Sequence, residues 1–168
     1  LAEMEKIQRH HGGASLPSFG NMGNGCAWKV AQQEEKNRMA RAIADRIPDG
    51  ASLFINTGST AEAVARALLD HRDLRIITSS LNVASILTAR DDFTVIIAGG
   101  EIRSADGGVI GSAVRDFLSQ FRVDFGITSV KAVDSAGTLL VNDFHDAAIT
   151  QILLSNSRCA LLATDHTK

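Results

Sequence analysis

The sequence predicts an α/β fold, a parallel, Rossmann-like sheet with helices on both faces. Three observations carry this. Short apolar runs of the kind that fill buried parallel strands recur at residues 52–55, 74–78, 93–98, 123–128 and 158–164. Between them lie segments with apolar residues at helical spacing. The connections are short, and strand and helix alternate along the chain, which favours crossovers packed on both sides of one sheet.

The elements follow in order. Residues 1–7 read as the end of a helix or strand, and residues 15–31 as a linker, since Pro17, Gly20, Gly23 and Gly25 interrupt any periodicity. Residues 32–47 predict the first helix, with Met39, Ile43 and Ile47 in an i, i+4, i+8 stripe and Ala40 and Ala44 beside it. Pro48-Asp49-Gly50 stops that helix, and the strand 52–55 follows. The next helix turns Ala61, Val64, Ala65, Leu68 and Leu69 to one face. After the strand 74–78, Ser79-Ser80 caps a helix over 81–89 with Val83, Ile86 and Leu87 inward. The strand 93–98 ends in Gly99-Gly100, and 101–108 reads as a polar loop. Residues 111–121 are helical, with Val114, Phe117, Leu118 and Phe121 on one side. The strand 123–128, a turn at 134–137, a helix over 144–154 and the strand 158–164 complete the series. The loop Asp165-His166-Thr167-Lys168 comes last.

Composition excludes several function classes. With 168 residues and 45% hydrophobic content, one domain with a sizeable core is expected, plus an appendage. The net charge of −2 rules out a binder that is basic throughout, so any DNA contact must be local. Cys26 and Cys159 lie far apart and match no metal spacing, which points to free thiols in a reducing cytoplasm. No apolar run of ~18 residues is present, so no membrane span is expected. Tyr is absent and Trp28 is alone, against an aromatic platform for single-stranded nucleic acid.

The chemistry is concentrated at one junction. Asn56-Thr57-Gly58-Ser59-Thr60 joins an apolar strand to an amphipathic helix. Gly58 permits a tight turn and close approach of a ligand, while Ser59 and Thr60 bring hydroxyls and backbone N–H groups to the positive end of the helix. A phosphate cradle and a plain turn with a Ser or Thr N-cap both fit these five residues. In parallel sheets ligands bind beyond the carboxyl ends of the strands. That rim also collects Thr78-Ser79-Ser80, Gly99-Gly100-Glu101-Ile102-Arg103 and Lys168. Hydroxyls, glycines, one Arg and one Lys there suit a small anionic ligand. His10 and His11 have no partner Cys or carboxylate at ligand spacing, so no metal is expected, and no cofactor either.

These residues resemble a known family. Arg9-His10-His11-Gly12-Gly13-Ala14 is similar to the segment that closes the winged helix-turn-helix of DeoR-type bacterial repressors. Thr57-Gly58-Ser59-Thr60, Ser80-Leu81-Asn82-Val83-Ala84, Ala98-Gly99-Gly100-Glu101-Ile102-Arg103, Gly107-Gly108-Val109-Ile110-Gly111 and Asp165-His166-Thr167-Lys168 resemble, in order, the motifs of its effector domain. Residues 9–16 and 98–125 look closest to the branch that represses the glycerol-3-phosphate regulon. The resemblance implies the fold shared by ribose-5-phosphate isomerases, glucosamine-6-phosphate deaminases and CoA transferases. It also implies a cytoplasmic, homo-oligomeric repressor released from operator DNA by a phosphorylated sugar or polyol, with glycerol 3-phosphate the first candidate. The domains then read as a wing remnant at 1–14, a linker at 15–31 and a sensor at 32–168, a fragment cut at both ends. The effector residues it implies are Asn56, Thr57, Gly58, Ser59, Thr60, Ser79, Asn82, Gly99, Gly100, Arg103, Gly108, Asp146 and Lys168. Arg9, His10, His11, Gly12 and Gly13 would touch the DNA backbone.

The chain also departs from the family pattern. Asn56 stands where Asp is usual, Ser79 where Asn is usual, and Asp146 where Glu is usual. Ser129-Val130-Lys131-Ala132 replaces a Gly-containing stretch, and Thr150-Gln151 a basic pair. Two rival readings stand beside the sensor. One is a sugar-phosphate isomerase, whose phosphate loop looks like Thr57-Gly58-Ser59-Thr60. Its catalytic Asp and Lys segments have no counterpart in Ser129-Val130-Lys131-Ala132-Val133-Asp134, so no enzyme is expected. The other is an oligomerisation module that has lost its effector response.

Overall fold

The structure is a computed structural model, and it describes residues 8–10, 13–15, 25–141 and 144–164. The chain falls into two units, residues 1–34 and 35–168. In the first, β1 (Gln8–His10) pairs antiparallel with β2 (Gly13–Ser15), with Arg9 opposite Ala14 and His10 opposite Gly13. His11 and Gly12, both expected on DNA, lie outside the described residues, as does Lys168.

Helix α1 (Gly25–Ala44) starts well before the expected residue 32 and stops before residue 47. Gly25 and Trp28 gave no helical period to read, and Pro48 explains the early end, because the residue before a proline is driven out of the helical region. The chain leaves through tight turns, Arg46 N–H bonding Ile43 O at 3.1 Å and Ile47 N–H bonding Ala44 O at 2.9 Å. The buried stripe is Ala40, Ile43, Ala44 and Ile47, with Met39 only on its flank. The small alanines, expected beside the stripe, are its centre.

Five strands make the sheet. They are β3 (Ser52–Ile55), β4 (Arg75–Thr78), β5 (Thr94–Ile97), β8 (Val123–Ser129) and β11 (Ser157–Ala163). Their spatial order is β11-β8-β3-β4-β5, and every pairing is parallel. From β3 the chain builds outward through β4 to β5, then returns to add β8 and β11 on the other side. The topology therefore reverses between β3 and β8, and such a switch point opens a crevice at the carboxyl ends of the two strands.

Alternation along the strands feeds two cores. Leu53, Ile55 and Ile76 join the inward faces of α1, of α2 (Ser59–Ala67) and of α3 (Leu81–Leu87) in one cluster. Phe54 and Ile77 point the other way, onto α4 (Ser112–Ser119) and α5 (Phe144–Asn156), with Val114, Leu118, Ile149 and Leu153. Helices thus cover both faces, as parallel strands buried on both sides require. Among the described residues no helix is long and apolar enough to cross a membrane.

Two small hairpins stand on the crevice rim. The segment expected as a polar loop pairs instead as β6 (Glu101–Arg103) with β7 (Gly108–Ile110). Its strands are three residues each, too short to show an alternation, although Val109 of β7 reaches the core. The expected turn at 134–137 closes β9 (Ala132–Val133) and β10 (Leu139–Leu140). There the Asp134 carboxylate accepts from Ala136 N–H at 2.9 Å and Thr138 N–H at 2.8 Å, and this holds its pKa below the usual carboxylate range.

The packing of α5 on β8 leaves no room at Gly126. A Cβ there would collide with the Ser157 hydroxyl and come within 2.7 Å of Leu153 Cδ2. Gly126→Ala should therefore lower the unfolding free energy by about 1–3 kcal/mol, as overpacking does. Urea denaturation checks this: an unchanged midpoint would mean that α5 does not press on β8.

Candidate functional site

The crevice at the switch point is a cavity of about 570 Å³. Strand β3 delivers Asn56 and Thr57 to it, α2 begins in it at Ser59 and Thr60, and β8 ends in it at Ser129. The β6–β7 hairpin contributes Arg103 and Asp106, and α5 contributes Asp146 and Thr150.

Its floor is a buried polar knot. Asn56 Nδ2 donates to Thr128 Oγ1 at 3.1 Å and to Thr150 Oγ1 at 3.3 Å, so one amide ties β3, β8 and α5. Its Oδ1 accepts from the Thr57 N–H at 2.8 Å, which turns the chain away from the strand. Gly58 follows at φ 116°, a backbone that a side chain strongly disfavours.

That turn leaves the start of α2 open. Gly58 is the N-cap residue and no side chain caps the helix. The first N–H to find a helical acceptor is that of Glu62, on Gly58 O at 3.0 Å. Helix α3 differs, because Ser80 Oγ accepts from Val83 N–H at 3.3 Å. Of the two readings left open by the sequence, the simple capped turn describes α3 and not α2. The positive end of the α2 dipole faces the cavity uncapped. Lys36 Nζ, reaching from α1, also donates to Ser59 Oγ at 2.9 Å. An ammonium beside a helix N-terminus is a like-sign arrangement, and a bound anion would relieve it.

The carboxylates in the wall are already engaged. Arg103 bonds Asp106 through two nitrogens, at 2.9 and 2.7 Å, and Asp146 Oδ1 at 3.0 Å. The paired carboxylates raise the pKa of the guanidinium. The Asp106 carboxyl is held below its usual range, chiefly by Arg103 and also by the Gly108 N–H at 3.1 Å and the Thr57 hydroxyl at 3.5 Å. Glu62 accepts from Asn82 Nδ2 at 2.9 Å and pairs with Arg66 at 3.4 Å. No histidine lines the cavity among the described residues, and they hold no group of three or more metal-ligating side chains. The wall presents hydrogen-bond donors in the backbone N–H groups that open α2, hydroxyls and Lys131, and behind Ser59 stands Lys36.

Of the expected effector residues, the structure brings together Asn56, Thr57, Gly58, Ser59, Thr60, Asn82, Arg103 and Asp146 around this cavity. Ser79, Gly99, Gly100 and Gly108 stand outside the wall. Ser79 is buried, its carbonyl accepting from Val109 N–H as the hairpin docks, and its hydroxyl has no partner among the described residues. A Cβ on Gly100 would lie 2.8 Å from Ile110 O, so that glycine serves a backbone crossing. Gly99 has open space around it, and Gly108 supports Asp106 from behind. The wall also contains Glu62, Asp106, Ser129, Lys131 and Thr150, and Lys36 reaches Ser59. Sequence spacing carried no signal for Lys36, which precedes Ser59 by a whole helix end and strand.

Comparison with known proteins places these residues in context. A model of the family described as the DeoR C terminal sensor domain matches residues 31–168. Over 168 residues, all of this chain and 67% of the relative, the chain is 51% identical to the glycerol-3-phosphate regulon repressor of Escherichia coli (strain K12). It is 45% identical to the HTH-type transcriptional repressor CsqR of the same organism, again over its full length and 64% of that protein. The chain thus spans about two thirds of these relatives. Among solved structures, ribose 5-phosphate isomerase from Plasmodium falciparum superposes with a TM-score of 0.57 at 13% identity, over 81% of this chain and 52% of the isomerase. That likeness concerns the fold.

The Arg103–Asp106 pair generates a pH prediction. A carboxyl whose pKa is lowered by folding contributes stability that is complete above its unfolded value, 3.8, and lost as pH falls through the lowered value. Asp106→Asn should remove that contribution, so the gap between wild type and variant narrows as pH drops below ~4. Urea midpoints taken from neutral pH to acid check this; a gap that stays constant would mean the pair adds no pH-linked stability.

Proposed function

Because the chain belongs to the DeoR C-terminal sensor-domain family, we propose that it is the ligand-sensing part of a DNA-binding transcriptional repressor. Its ligand is a phosphorylated sugar or polyol, with the phosphate on the Gly58-Ser59-Thr60 turn. The observation that carries this reading is the uncapped start of α2, opening into the switch-point cavity with Lys36 beside it. A phosphate there meets backbone donors, two hydroxyls and an ammonium, and it needs no metal.

Glycerol 3-phosphate remains the first candidate, since the relatives' names tie them to that regulon. Binding would act through the parts that line the cavity. Arg103 on the hairpin and Asp146 on α5 already bridge it, so a ligand seated between them and α2 holds hairpin, sheet and helix in one arrangement. In the whole protein this bias reaches the operator-binding part, in the cytoplasm and in a homo-oligomer, because symmetric operators call for paired readers. Residues 1–14 would belong to the wing of that part, with Arg9 and His10 on the DNA backbone, and 15–31 to the connection. Isomerase chemistry is disfavoured. A general base must be unencumbered near its carbon acid, whereas Asp106 and Asp146 are held by Arg103, and Glu62 by Asn82 and Arg66.

A thermal shift series tests the reading. At ~100 times the dissociation constant, linkage stabilises the fold by about 2.7 kcal/mol, a rise in Tm of roughly 5 to 10 °C for a domain this size. Glycerol 3-phosphate or a sugar phosphate should produce that rise, and the unphosphorylated compound should not. Gly58→Asp should abolish it, by straining the turn and placing a negative charge where the phosphate sits. A broad panel of polyol and sugar phosphates that leaves Tm unmoved would remove the phosphate reading. Turnover of ribose 5-phosphate above a heat-killed control would favour the isomerase.

A further inference from the structure

The charge around the cavity is uneven once the phosphate is in place. Its wall contains two described cations, Arg103 and Lys131. Arg103 is engaged by Asp106 and Asp146. Lys131 lies where β8 hands over to β9, and its main chain is pinned there by its N–H on Leu140 O at 2.8 Å. Its side chain is exposed on the cavity and makes no ion pair among the described residues. The phosphate turn has its own donors and its own ammonium in Lys36. Lys131 is therefore surplus to a ligand whose only charge is a phosphate. The cavity, at about 570 Å³, also extends well beyond one phosphate group.

On the phosphate reading above, we propose that Lys131 selects ligands with a second anionic group, so that the favoured class is a phosphorylated sugar acid, with phosphate on the Gly58 turn and carboxylate on the Lys131 ammonium. A neutral polyol phosphate leaves Lys131 facing hydroxyls. A carboxylate at the far end of the same skeleton gives it a charge-assisted hydrogen bond in a partly enclosed site. The wall's three carboxylates are engaged elsewhere, Asp106 and Asp146 by Arg103 and Glu62 by Asn82 and Arg66, and none of them pairs with the ammonium.

Calorimetric titration of the chain at ~0.15 M salt with matched pairs tests this. The pairs are 3-phosphoglycerate against glycerol 3-phosphate, and 6-phosphogluconate against glucitol 6-phosphate, with glycerate and inorganic phosphate as partial ligands. The acid of each pair should bind about tenfold more tightly or better, one charge-assisted bond being worth roughly that. Lys131→Met should weaken the acid alone and erase the difference, and Lys131→Arg should keep it. Equal affinity within each pair in the wild type would overturn the proposal while leaving the phosphate reading intact. So would a Lys131→Met variant that loses both members alike, since Lys131 would then serve the phosphate. If neither pair nor inorganic phosphate binds, the phosphate reading fails and takes this proposal with it.

Discussion

The buried amide of Asn56 is the interaction on which the site depends. Strands β3 and β8 are neighbours in the sheet, yet the helices that follow them leave on opposite faces. Something must hold the two strand ends together where their crossovers diverge. Asn56 does so with bonds to Thr128 and Thr150, and with its remaining oxygen it directs Thr57 into the turn that begins α2. A buried polar group left unpaired costs about 1–3 kcal/mol, so this knot stands only because each member finds a partner. The open helix end above it is a consequence.

Electrostatics then divides the cavity into a half closed by ion pairs and a half that presents hydrogen-bond donors. On the hairpin side Arg103 neutralises two carboxylates and ties β6–β7 to α5. On the α2 side the open helix end and Lys36 bring positive potential, and the carboxylate in the first turn of α2, Glu62, is shared with Asn82 and Arg66. The pairing on the hairpin side also explains why Arg103, the residue the sequence rim offered most plainly for an anion, is less available than the two lysines.

The fold itself does not decide between sensor and enzyme, since the same sheet and crevice serve an isomerase at 13% identity. The difference lies in a few side chains at the end of β8. An isomerase needs an unencumbered carboxylate there, and this chain has Ser129, Val130 and Lys131. On the proposed sensor reading, a protonated Lys131 in that position receives an anion.

Much of this was legible in the residues. The apolar runs at 52–55 and 123–128 and the helical spacing between them determined a parallel sheet with two covered faces, because burial on both sides leaves a continuous apolar signature. Gly58 before two hydroxyl residues marked the turn that begins α2, where the proposed phosphate would sit, since a positive φ there favours glycine. Spacing could not say whether Ser59 or Thr60 would cap α2, whereas it placed the Ser80 cap of α3 correctly. Nor could it show that the stretch after Gly100 folds into a hairpin, because β6 and β7 are held by docking on Ser79 and Leu81 and by one buried residue, Val109, too few for a readable period. Lys131 reached the cavity and Lys36 reached Ser59 from opposite parts of the chain, and the partners of Arg103 came from two different elements. Local sequence determines periodicity and backbone freedom, which act over a few residues. Which charges meet, and which are left without a counterpart, is set by distances across the folded crevice, and only the tertiary structure decided it.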